Sequence, residues 1–104
     1  MSVLKIHLPP EMEEYKADLE YFVATMVRKL HTNRHKGTSL DLCPSKMLDL
    51  STVEIFEARE ALKQSGQFEF SVECADVANF AFLAARGCWN MTREQYDKEK
   101  ENAE

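Results

Sequence analysis

Residues 54–76 read EIFEAREALKQSGQFEFSVECAD, and this stretch decides the fold. It sets Glu54 with Glu57, and Glu73 with Asp76, at i, i+3 spacing on either side of a Ser65-Gly66 break. Two residues three apart share one face of a helix, with Cβ atoms about 5–6 Å apart. Gly66 adopts positive φ without a steric penalty, which suits a helix stop. The spacing therefore predicts one helix from Ser45 to Gln64 and another from Phe68 to Arg86, the second closed by Gly87. Met47, Leu48, Leu50, Val53, Ile55, Phe56 and Leu62 are expected to supply the buried surface of the first. The second is apolar nearly all round, through Val72, Ala75, Val77, Phe80, Phe82, Leu83 and Ala84. A helix with so little polar face is central or lies in an interface. A short turn makes the two helices antiparallel neighbours and lets the two acid pairs face each other.

Upstream, Leu19, Phe22, Val23, Met26, Val27 and Leu30 recur at three- and four-residue spacing, which predicts a helix from Pro10 to about Asn33. Pro10 suits a first helical turn, and Glu11, Glu13 and Glu14 follow where the helix dipole favours acids. Before it, alternation of Leu4, Ile6 and Leu8 fits a short edge strand or an extended arm ended by Pro9-Pro10. A polar loop joins His35 to Pro44. Downstream, Thr92-Arg93-Glu94-Gln95 has the form of a capping box opening a last helix. The expected class is all-α, a four-helix bundle. Its parts are an arm over residues 1–9, a helical domain over 10–91 and a C-terminal helix or tail over 92–104.

A chain of 104 residues is one domain, small enough to gain from burying further surface by oligomerising. Its 13 basic and 18 acidic side chains give −5, which argues against a partner that is a nucleic-acid polymer. The charge is unevenly placed. Residues 21–40 hold Arg28, Lys29, Arg34 and Lys36 with no acid, whereas residues 54–76 carry six acids and two bases. No apolar run approaches the ~20 residues of a membrane span, and the first residues are too short and polar for a signal peptide. The expected location is cytoplasmic. Cys43, Cys74 and Cys88 are odd in number and lack a CxxC spacing, so neither zinc nor a disulfide framework is expected.

Four carboxylates converging between helices repel one another unless a cation lies among them. Mg²⁺, with Mn²⁺ as an alternative, suits all-oxygen ligands and keeps waters that a phosphate can replace. Against this stands the plain alternative of solvated acids on helix surfaces. It serves Glu54 and Glu57 better than Glu73 and Asp76, which interrupt an apolar helix. Glu60 extends the first acid series, and pairing with Lys63 accounts for it; Glu69 fits a first-turn acid. The basic segment KLHTNRHKGT, residues 29–38, reads either as cations at a helix C-terminus or as a phosphate-binding segment, where Gly37 permits close backbone approach.

Together these strings resemble a known family. EIFE, followed after fifteen residues by ECAD and then VANF, with KLHTNRHKG upstream, is similar to the all-α MazG-like nucleoside triphosphate pyrophosphohydrolases, in particular the small single-domain type of bacteria and phages. The resemblance spans about Tyr21 to Gly87, and Ala58 stands where that family usually has leucine. It implies a MazG-like helical bundle assembling as a homodimer or homotetramer, and hydrolysis of a nucleoside triphosphate to the monophosphate and pyrophosphate. It also implies Mg²⁺ held by Glu54, Glu57, Glu73 and Asp76, with Lys29, Asn33, His35, Lys36 and Asn79 toward the nucleotide. Glu57 is the expected proton acceptor for the attacking water. A non-enzymatic helical oligomer that binds a nucleotide or protein through the same cleft is the competing expectation.

Overall fold

The computed structural model describes residues 4–35, 43–64 and 66–103, apart from the side chains of residues 34, 35, 102 and 103. A 3₁₀ turn at Pro10–Tyr15 leads into α1 (Lys16–His35). Then come α2 (Pro44–Gln64), α3 (Gln67–Trp89) and α4 (Arg93–Ala103). The described residues are thus helical with no strand, in agreement with the all-α class. None of these helices is long and apolar enough to cross a membrane.

Residues 4–9 form an extended arm, not an edge strand, and the Ile6 N–H donates to Glu20 Oε2 on α1 at 2.9 Å. The expected first helix divides in two. Its proline-led start is 3₁₀, with the Met12 N–H bonded to Pro9 O, and only from Lys16 does the α-helix run. Gly66, at φ 92°, sits in the tight turn between α2 and α3 where a Cβ would be strained. Gly87 does not end α3, which continues to Trp89 with Asn90 as its cap residue. A single mid-helix glycine costs about 1 kcal/mol, so it need not stop a helix that is packed on both sides. The capping box is reciprocal: Thr92 N–H donates to Gln95 Oε1 at 3.0 Å, and Gln95 N–H to Thr92 Oγ1 at 3.2 Å. The start of α2 is capped in part from a distant helix. The Ser45 N–H donates to Glu99 Oε1 of α4 at 2.7 Å.

α3 is central, packed along α2 and also against α1. Four of the six buried apolar residues described are alanines of the α2–α3 pair, Ala58, Ala61, Ala75 and Ala84. Their small side chains let the helices approach closely. Met47 is wholly buried against Leu83 and Ala84, with Leu30, Leu50 and Phe80 around it, so all three long helices meet there. The expected apolar surface of α2 is only partly used. Leu48, Val53, Ile55, Phe56 and Leu62 are 42–68% exposed. The reason is angular. At 100° per residue, Phe56 lies about 180° from Met47, and Leu48, Ile55 and Leu62 lie about 60–100° from it. One neighbouring helix cannot cover that whole arc.

The three cysteines are free, Cys43 and Cys88 exposed and Cys74 half-buried. Replacing Met47 with alanine should lower unfolding free energy by roughly 2–5 kcal/mol. Urea denaturation at fixed protein concentration measures this, with an unchanged slope expected if only packing is lost.

Candidate functional site

The acid pairs arrive at one place because the Gly66 turn folds α3 back along α2. Carboxylate oxygens of Glu54, Glu57 and Glu73 all lie within 4.8 Å of one another. Glu54 and Glu73 are half-buried and Glu57 is exposed. Crowding shows in the protonation of the cluster. Burial, then the Glu57 charge and a hydrogen bond to Glu57, then Asp76 and Glu73, push the Glu54 carboxyl up to about 7. Glu73 is likewise raised, by burial first and then by the charges of Asp76 and Glu57, with Lys29 opposing.

The fourth expected carboxylate stands slightly apart. Asp76 is buried, and its Oδ2 pairs with Lys29 Nζ of α1 at 3.6 Å. It remains close enough for its charge to act on Glu54 and Glu73. Lys29, expected to face a nucleotide, thus pairs with an acid of the same site. Asn79, one turn beyond Asp76, is 3% exposed and donates from Nδ2 to Met26 O of α1 at 3.0 Å. It ties α3 to α1, and its buried Oδ1 has no hydrogen-bond partner among the described residues. Asn33 is half-buried near the end of α1, and His35 is the last residue of that helix. Lys36 and Gly37 lie outside the described residues.

An open groove of about 420 Å³ adjoins the cluster, lined by Phe56, Glu57, Glu60, Ala61, Gln64, Glu69 and Glu73. Glu60 is held by Lys63 at 3.8 Å and by Gln64 Nε2 at 3.1 Å, as helix-surface pairing requires. Phe56, 68% exposed, was expected in the core and instead borders the groove. Its position directly before Glu57, and half a turn from Met47, is the sequence feature that marks it. A second polar row on α1 was not expected. Arg28 Nη2 donates to the buried Thr25 Oγ1 at 3.1 Å, and that hydroxyl donates to Tyr21 O at 3.0 Å.

Three converging carboxylates suit a hard divalent cation, because oxygen-rich donor sets favour Mg²⁺ and Mn²⁺. A carboxyl raised to about 7 by burial and by its acidic neighbours would be relieved by such an ion. No protein-family profile, curated protein or solved structure matches this chain.

The raised Glu54 carboxyl has a consequence for stability. A group whose folded pKa exceeds its unfolded value binds its proton more tightly when folded. The stability it contributes is present below the unfolded value of 4.5 and is lost as pH climbs through about 7. In chelator-treated protein the urea midpoint should fall across that window. Glu54→Gln should flatten the fall and raise the midpoint at pH 8.

Proposed function

We propose that this protein is a Mg²⁺-dependent nucleoside triphosphate pyrophosphohydrolase of MazG-like type, cleaving its substrate to the monophosphate and pyrophosphate. The observation that carries this is the convergence of Glu54, Glu57 and Glu73 within 4.8 Å at the edge of an open groove. The resemblance of EIFE, ECAD and KLHTNRHKG to that family supplies the reaction class.

Glu54, Glu57 and Glu73 would hold the ion, with Asp76 beside them. When bound, Mg²⁺ supplies charge neutralisation of the triphosphate and polarisation of a phosphoryl oxygen. The remaining work falls to the chain. Glu57, the exposed member, lines the groove and would take a proton from the attacking water. That water forms a new P–O bond as the α–β phosphoanhydride breaks, and pyrophosphate leaves. Glu54, half-buried beside Glu57, would present its carboxylate to the same ion once that ion displaces its proton. Lys29 pairs with Asp76 through its ammonium group and brings positive charge to the site edge. Asn79 fixes the register of α3 against α1 and so positions Glu73 and Asp76 indirectly. Assembly as a homodimer or homotetramer belongs to the same proposal.

A panel of NTPs and dNTPs with Mg²⁺, read for monophosphate and pyrophosphate, tests the proposal. Turnover of at least one is expected, with Mn²⁺ substituting, and Glu57→Gln should lower kcat roughly 10²-fold or more while helix content is unchanged. Absence of turnover across the panel, or a Glu57→Gln variant as active as wild type, would overturn it. Nucleotide binding without turnover would favour the non-enzymatic alternative.

A further inference from the structure

The groove beside the carboxylates has two unlike ends. Glu57, Ala61 and Gln64, spaced i, i+4 and i+7, line it along one face of α2. Glu69 and Glu73, one turn apart, line it along α3. Glu57 and Glu73 belong to the three converging acids and mark the ion end. Gln64 and Glu69 mark the other end, with Gln64 about 10 Å along the axis of α2 from Glu57. That length is comparable with the reach of a nucleotide from its α-phosphate across sugar and base. Phe56 borders the groove with 68% of its surface exposed, and Glu60 stands one turn beyond it on α2.

The described lining contains no Lys, Arg or His. Its hydrogen-bonding side chains are four carboxylates and one amide, that of Gln64. Gln64 Nε2 donates to Glu60 Oε2 at 3.1 Å, and the exposed Lys63 meets Glu60 at 3.8 Å. Glu69 is near enough for its charge to act on Glu73. Away from the ion end, then, the groove offers mainly acceptors.

Charge decides which end of a nucleotide such a groove accepts. Phosphate oxygens are repelled by Glu60 and Glu69, which stand outside the converging trio, whereas an uncharged base is not. Every base has a π face that can stack on an aromatic ring, and Phe56 offers one. Base edges differ in their hydrogen bonds. Cytosine, adenine and guanine each carry an exocyclic amino group that donates, whereas the exocyclic oxygens of uracil and thymine only accept. A carbonyl oxygen set against a carboxylate leaves two acceptors unpaired, which is costly away from water.

We propose that this groove holds the base of the substrate, stacked on Phe56, and that the acceptors at its far end select bases bearing an exocyclic amino group over uracil and thymine. The proposal rests on the reading of the site as a nucleotide pyrophosphohydrolase and adds the substrate class to it. Phe56 supplies affinity common to all bases. Glu69 and the Gln64 carbonyl supply the discrimination.

CTP and UTP form the cleanest test pair, because they differ only at C4 and N3 of the base. Their kcat/KM values should be measured with Mg²⁺ for wild type, Phe56→Ala and Glu69→Lys. Wild type should favour CTP by roughly 10-fold or more. Glu69→Lys replaces an acceptor with a donor at an exposed position, and the CTP/UTP ratio should fall by roughly 10-fold. A change at the ion end affects both substrates alike and cancels in that ratio. Phe56→Ala should raise KM for both by roughly 5-fold or more, with kcat and the ratio held. Equal kcat/KM for CTP and UTP in wild type, or an unchanged KM in Phe56→Ala, would overturn the proposal while leaving the reaction itself standing. Should no nucleotide be turned over, NMR titration of wild type with the nucleosides cytidine and uridine decides the groove alone, without metal or phosphate. Tighter binding of cytidine would then uphold the base groove although the reaction is lost, and equal binding would remove it.

Discussion

Alanines at 58, 61, 75 and 84 bring the axes of α2 and α3 close together, and much else in the molecule follows from that approach. With larger side chains in the seam, Glu54 and Glu57 on one helix would stand too far from Glu73 on the other to feel its charge. With the seam closed, the three acids lie within 4.8 Å, and Glu54 holds its proton to about 7. Packing thus does work against electrostatics. Met47 and its neighbours in the core hold together what the carboxylates push apart, with Lys29 beside Asp76 as a partial counterweight. Sites that bind cations often carry such a conflict, because like charges that suit an ion are poorly placed without it.

Much of this was legible in the sequence, and the exceptions share a cause. The helix–turn–helix unit followed from two acid pairs around a glycine, and the last helix from one four-residue cap. Both are local signals, written in neighbouring residues. What escaped was tertiary. Periodicity identifies an apolar residue but not whether a neighbour exists to cover it, so Phe56 and Ile55 were assigned to a core that reaches neither. Gly87 reads as a stop until packing on α3 outweighs its small local cost. The pairing of Asp76 with Lys29 joins residues 47 positions apart on different helices. No spacing rule reaches across that distance, nor does one show that Asn79 donates to Met26 O of α1.

Charge is unevenly distributed along α3. Glu73 and Asp76 of α3 turn toward its neighbours, while Phe82 and Trp89 are exposed. The formal charge of −5 hides this, since it averages over a molecule whose properties depend on which way each side chain points.

The bond between Glu99 and the Ser45 N–H carries a thermodynamic obligation. The first amides of α2 need acceptors, and one of them finds its acceptor more than fifty residues downstream, on α4. Order in the tail and order at the start of α2 are therefore linked quantities, and linkage runs equally in both directions. Any molecule that steadied the chain just ahead of α2, beside the basic segment, would steady α4 by the same free energy. A partner that drew α4 away would in turn loosen the entrance to α2.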